Sequence, residues 1–205
     1  IWILPYLGEK GIAELMKVPS TIGKQDYRFR AVALRSALRF DPKNLGWSMM
    51  EELRKDKSAH VRRIILTHLR DVPYNKKKSI LMDLILAGDL EDRTYLESIG
   101  LAADGDEDSL WSEYCKTRKI SHANNWDRQA HLLAWRLHGD SIIEDMVARM
   151  LMAEVSPEHR KELVASLAMN RTKAAFVGMK KVYLESKKES LKDLAKQFLV
   201  KGMVH

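Results

Sequence analysis

Five arginines set the strongest constraint on what this chain folds into: Arg30, Arg62, Arg93, Arg128 and Arg160 recur at separations of 32, 31, 35 and 32 residues. After each one, apolar residues return at similar offsets, as in Leu34 and Leu38, Leu66 and Leu69, Leu96 and Ile99, Leu132 and Trp135, and Leu163 and Leu167. A period in this range is the mark of stacked helical pairs, because one pair cannot bury its apolar face alone and must lay it on the next. A last unit keeps the stripe in Leu191, Leu194 and Phe198 but has Ser190 where the arginine would fall, as a terminal repeat does. Acidic residues precede several of the arginines: Asp26 before Arg30, Asp56 before Arg62 and Asp89 before Arg93. That pairing gives each turn a capping side chain and each arginine a fork to tie adjacent repeats, so the five arginines read as structural.

Apolar spacing of three and four runs along the chain, and sustained period-two alternation and hairpin dipeptides are absent, so the fold class reads as all-α. Helices are expected near 9–17, 26–40, 43–55, 58–71, 75–87, 91–103, 106–118, 125–138, 140–154, 157–169, 171–185 and 188–201. Caps announce several of them: Asp26, Ser58, and Ser156 followed by Pro157 at a first-turn position where proline loses no hydrogen bond. Gly88 and Gly139 are expected to end their helices. Connections of a few residues make sequential helices antiparallel neighbours, which predicts one domain over residues 1–205 of roughly six helix pairs.

With 205 residues, 45% of them hydrophobic, the chain has enough apolar material for a sizeable core, and the interleaved 31% of charged residues excludes a disordered composition. The longest apolar stretches, 80–87 and 150–153, fall far short of the roughly 20 residues a spanning helix needs, so no membrane insertion is expected. The formal charge of +7 suits a polyanionic partner, yet only 76–78, 180–181 and 187–188 form lysine runs, which read as solvated helix faces. The start, Ile1-Trp2-Ile3-Leu4-Pro5, is apolar from its first residue and reads as a piece of a longer protein.

Chemistry-bearing residues do not assemble into a recognisable motif. Cys115 stands alone, without the second thiol of a disulfide, zinc pair or haem-attachment motif, and reads as a half-buried helix residue. His60 and His68 are eight apart and His131 and His138 seven apart, poor ligand spacings on a helix. The acidic run 104–108 begins like a calcium loop but has Cys115 where the closing glutamate belongs, and reads as a turn whose acids favour a helix N-terminus. Trp2, Trp47, Trp111, Trp126 and Trp135 fall mostly at apolar spacing and read as packing residues. No catalytic residue, metal ligand or cofactor site is expected in this segment.

The segments Asp26-Tyr27-Arg28-Phe29-Arg30-Ala31-Val32-Ala33-Leu34-Arg35 and His60-Val61-Arg62-Arg63 resemble HEAT and PBS-lyase-type HEAT-like repeats, whose second helix often opens with Val-Arg after an aspartate. That resemblance implies a right-handed α-solenoid of stacked antiparallel helix pairs, an armadillo-type superhelix. Over nearly the whole chain, the order of segments is similar to the HEAT-repeat region of large haem-binding, membrane-bound dehydrogenase-like proteins of planctomycetes and related bacteria. The resemblance implies a bacterial, periplasmic or secreted setting, with a sugar-dehydrogenase-like propeller and a c-type cytochrome domain beside the repeats.

The function expected is therefore a non-catalytic scaffold or protein-interaction module whose partner is a protein or a neighbouring domain of the same chain. Arg35, Arg63, Arg70, His131 and Arg136, polar positions on the arginine-led helices, are the candidate contact residues. The alternative is a HEAT-like DNA-binding protein or alkylpurine DNA glycosylase. There Arg35, Arg39, Arg63 and Arg70 would line a concave side, and Trp126-Asp127-Arg128 would supply an aromatic residue and an acid.

Overall fold

The computed structural model describes residues 1–170 and 172–202, the last two by backbone alone. Arg171, expected to open the eleventh helix, lies outside the described residues. Twelve α-helices and no strand occur among the described residues. They are α1 (Gly8–Lys17), α2 (Tyr27–Phe40), α3 (Leu45–Leu53), α4 (Ala59–Leu69), α5 (Tyr74–Ala87), α6 (Arg93–Ala103), α7 (Glu107–Arg118), α8 (Arg128–Leu137), α9 (Asp140–Leu151), α10 (Pro157–Asn170), α11 (Lys173–Glu185) and α12 (Glu189–Gly202). Short 3-10 turns at Leu4–Leu7 and Ala123–Asn125 precede α1 and α8. Every helix lies where the periodicity places one, with ends shifted by up to about three residues. Among the described residues no helix is long and apolar enough to cross a membrane.

The chain divides into two compact units, Ile1–Ala102 and a second from Ala103 onward, where the sequence suggests one array. In the first unit α2 packs against α3 and α4, and α4 against α5. In the second, α7, α9 and α11 pack in succession as one layer and α8, α10 and α12 as another, with each helix also touching its sequential neighbour. The repeat period reappears here as hydrogen bonds. Trp111 donates to Asp145, Ser166 to the Trp135 carbonyl, Asn170 to the His138 carbonyl and Thr172 to Asp140, across separations of 34, 31, 32 and 32 residues. Residues one repeat apart are therefore neighbours, which the 32-residue spacing of the arginines anticipates.

The helix starts follow local chemistry, with two departures. Asp26 accepts from the Arg28 amide, Asp127 from the Ala130 amide and Ser156 from the His159 amide, each satisfying an orphan first-turn donor. Ser58 makes no such bond; instead Asp56 accepts from the Ser58 amide and organises the turn from two residues upstream. The acids of 104–108 also act at a distance, since Asp108, on α7, accepts from both the amide and the hydroxyl of Ser141 at the start of α9.

Gly88 and Gly139 do not close helices by adopting left-handed backbone; both are extended. Left-handed conformation falls instead on His138 (φ 55°), which ends α8, and on Lys119 (φ 56°), which ends α7. The two glycines are needed for close approach: a Cβ at residue 88 would enter the Tyr95 ring, and one at 139 would enter the Asp108 carboxylate. Tyr95 is fully buried and donates to the Leu84 carbonyl at 2.7 Å, so its ring has little room to yield. Gly88→Ala is expected to lower stability by about 1–3 kcal/mol through overpacking, read as a lower urea midpoint at unchanged slope. Gly105→Ala, in open space at φ +81°, carries only left-handed strain of roughly 1 kcal/mol.

Candidate interaction surface

The repeat arginines are the first candidates, and four of them join separate segments. Arg30 grips both carboxylate oxygens of Asp56, at 2.5 and 2.9 Å, and donates to the Gly23 carbonyl. Arg62, 8% exposed, donates to the Asp56 and Lys57 carbonyls and to the Tyr95 hydroxyl, its guanidinium lying 5.2 Å from the centre of that ring. Arg160, 3% exposed, donates to the carbonyls of Met150, Met152 and Ala153. Arg128 pairs with Glu162 on α10. Arg93 stands apart, since its guanidinium is largely exposed and pairs with Glu97 one turn along its own helix.

Each buried fork satisfies carbonyls that the preceding loop cannot pair with backbone amides. Planar guanidinium presents five donors at once, which a lysine cannot do. These side chains are therefore fixed in the body of each unit, away from any approaching partner.

The five candidate contact residues separate on the same criterion. Arg35 on α2 is exposed, Arg63 on α4 half-buried, and Arg70 exposed just past the end of α4. Arg136 lies half-buried in the last turn of α8, in the second unit. His131 is only 1% exposed, which removes it from any contact surface. The apolar stripe of α8 carries it inward with Leu132 and Leu133.

Inside the second unit His131 becomes part of an ion network. Its Nε2 lies 2.8 Å from Glu162, which also accepts from Arg128, and its ring stands 4.7 Å from that of His159. Burial pushes the His131 pKa down to about 4, against the opposing pull of Glu162. For Glu162 burial acts upward, but hydrogen bonds from Arg128 and His131 outweigh it and hold the carboxyl below its ordinary value. The ring is thus neutral at pH 7, its Nε2–H donates to Glu162, and its Nδ1 lone pair is buried without a partner.

On α2 and α4 the fold gathers two of the candidate contact residues, Arg35 and Arg63, around His60, which sequence reasoning does not join to them. His60, in the first turn of α4, receives a hydrogen bond from Arg35 Nη2 at 3.1 Å. A guanidinium only donates, so His60 Nε2 is the acceptor and the proton sits on Nδ1. Arg63, one turn beyond His60, adds a second positive charge; burial together with the charges of Arg35 and Arg63 holds the His60 pKa below its ordinary value. The Tyr27 ring meets the His60 ring edge-on at 5.8 Å. Nearby acids are already neutralised, Asp26 by Arg28 and Asp56 by Arg30. Among the described residues neither Arg35 nor Arg63 has a carboxylate partner. The signal was present in the sequence as positions 60 and 63 on one helical face, but only tertiary packing brings residue 35 to it.

Other features have structural roles. Trp126, 5% exposed, packs edge-on against Trp111 at 5.1 Å, while Asp127 caps α8 and pairs with Arg118. Burial pushes the Cys115 thiol up to about 11, which keeps it protonated and unreactive at neutral pH. Open hollows among the described residues include one of about 330 Å³ lined by Trp2, Ile3, Tyr6, Ser36 and Arg39, and one of about 580 Å³ along α9 and α11, where Val177 is flanked by Lys173 and Lys181. No family model, curated protein or solved structure matches this chain.

His131 gives a test of the internal network. Its folded pKa lies below the unfolded value near 6.5, so the unfolded chain binds more protons in that window. The stabilisation is complete above about pH 6.5 and is lost as pH falls toward 4. Urea midpoints measured from pH 7 to 4 should fall steeply in the wild type, and His131→Gln should flatten that fall. Arg62→Ala, which strands the Asp56 and Lys57 carbonyls and leaves the Tyr95 hydroxyl only its bond to Leu84, is expected to cost about 3 kcal/mol in the same assay.

Proposed function

We propose that this chain is a non-catalytic helical-repeat scaffold, a HEAT-like right-handed α-solenoid of stacked antiparallel helix pairs, which offers the α2–α4 face to an acidic protein surface or neighbouring domain. The observation that carries this reading is the bond from Arg35 to His60. Most arginine side chains whose contacts are described meet a carboxylate or a carbonyl, whereas Arg35 rests on an imidazole, with Arg63 beside it. Like-signed groups held together on a surface are relieved by a partner of opposite sign. Hydrogen bonds repeating at about 32 residues within the second unit support the repeat reading. The resemblance to haem-binding dehydrogenase-like proteins favours a redox domain of the same protein as the neighbour; the repeats themselves would hold no cofactor.

A nucleic-acid reading rests on the same cationic face. The glycosylase form of it needs an acid poised at an aromatic wall, and the Trp126–Asp127 pair favours a structural role instead, one residue buried in packing and the other capping α8.

Fluorescence anisotropy separates the two. A labelled acidic peptide should bind the 205-residue chain, and the Arg35→Ala, Arg63→Ala double variant should weaken it about tenfold, or about 1.4 kcal/mol. Labelled duplex DNA should bind only at low salt, as non-specific phosphate contacts do. Submicromolar DNA binding that persists at physiological salt would sink the protein-interaction reading and make Asp127 the next residue to replace.

A further inference from the structure

Three basic side chains lie on the α2–α4 face, from two helices. Arg35 comes from the middle of α2, and His60 and Arg63 come from the first turns of α4. Arg35 and His60 are in direct contact at 3.1 Å, and His60 and Arg63 share one helical face, three residues apart. The group is accessible: Arg35 is exposed, His60 and Arg63 are half-buried, and the Tyr27 ring beside them is 44% exposed.

Charge and donor geometry select among anions. A side-chain carboxylate carries one charge on two oxygens, and a backbone phosphodiester one charge on two non-bridging oxygens. A phosphomonoester carries close to two charges and presents three strong acceptor oxygens. Two guanidinium groups without carboxylate partners match the charge, and Arg35, Arg63 and His60 match the three oxygens once His60 takes a proton on Nε2 in place of the Arg35 bond. Charge-assisted bonds of this kind are about twice as strong as neutral ones. Asp26 and Asp56 do not oppose the anion, because Arg28 and Arg30 already neutralise them.

We propose that Arg35, His60 and Arg63 form a binding site for a phosphomonoester dianion, carried on a phosphorylated side chain of a protein partner, with Tyr27 packing against the segment that bears it. This rests on the α2–α4 face being the interaction surface, and it adds that phosphorylation of the partner controls the contact.

Isothermal titration of the chain with a phosphoserine peptide tests it, beside the same peptide unphosphorylated and with glutamate in place of phosphoserine. Expected are binding of the phosphopeptide at least tenfold tighter than the glutamate form, and a loss of about tenfold in each of Arg35→Ala and Arg63→Ala. Lys78→Ala, at an exposed position on α5, should bind as the wild type does. Because only the phosphate uses the third donor, His60→Gln should weaken the phosphopeptide more than the glutamate peptide. Equal affinity for the phosphorylated and glutamate peptides overturns the phosphate site while leaving an acidic-partner surface in place. Unchanged binding in both arginine variants overturns the location. Displacement of the phosphopeptide by duplex DNA at physiological salt overturns both in favour of nucleic acid, and binding of inorganic phosphate alone with no gain from the peptide overturns the protein partner.

Discussion

The structure depends on arginine forks that enter a turn and collect its carbonyls. A tight connection between two helices leaves the last carbonyls of the first helix, and those of the loop, without amide partners, and burying them unpaired is costly. Arg160 takes the carbonyls of Met150, Met152 and Ala153 in one gesture, and Arg62 takes those of Asp56 and Lys57 while reaching the Tyr95 hydroxyl. Each fork therefore fixes the loop before its own helix. Arg62, through Tyr95, also fixes the helix one repeat on. Short loops and a regular period follow from the same bond set.

That dependence explains which arginine departs from the pattern. At the start of α6 the turn is organised by Asp92, whose carboxylate accepts from the amides of Thr94 and Tyr95, and Arg93 turns outward to Glu97. Tyr95, two residues later, takes the inward position and links Arg62 to the Leu84 carbonyl. The inward polar role is kept by position in the fold, though not by the residue type that the spacing singles out.

Outside these ties, the charge distribution distinguishes one face. Most arginines whose contacts are described meet a carboxylate or a carbonyl, whereas Arg35 meets an imidazole. Net charge alone does not separate a solvated surface from a binding one; the absence of compensation at a particular place does. The cationic group on α2 and α4 has a physical identity that the +7 total lacks.

The helices, their order and the repeat period were legible in the sequence by themselves, because apolar spacing, capping residues and turn chemistry act over a few residues and need no knowledge of the rest. Arg30, Arg62, Arg128 and Arg160 stand out in the sequence by their spacing, but the partners differ from one to the next: Asp56 for Arg30, loop carbonyls for Arg62 and Arg160, and Glu162 for Arg128. Tertiary structure alone decided which polar residues of a helix point outward. His131, three residues after Arg128, and Arg35, five after Arg30, both read from the sequence as contact positions, yet His131 is enclosed between α8 and α10 and Arg35 stands exposed beside His60. Tertiary structure likewise decided that Gly88 and Gly139 serve close approach, to Tyr95 and to Asp108. Those outcomes are set by partners 7 to 31 residues away in sequence, and the packing of one helix on another, which local pattern does not encode, brings those partners into reach.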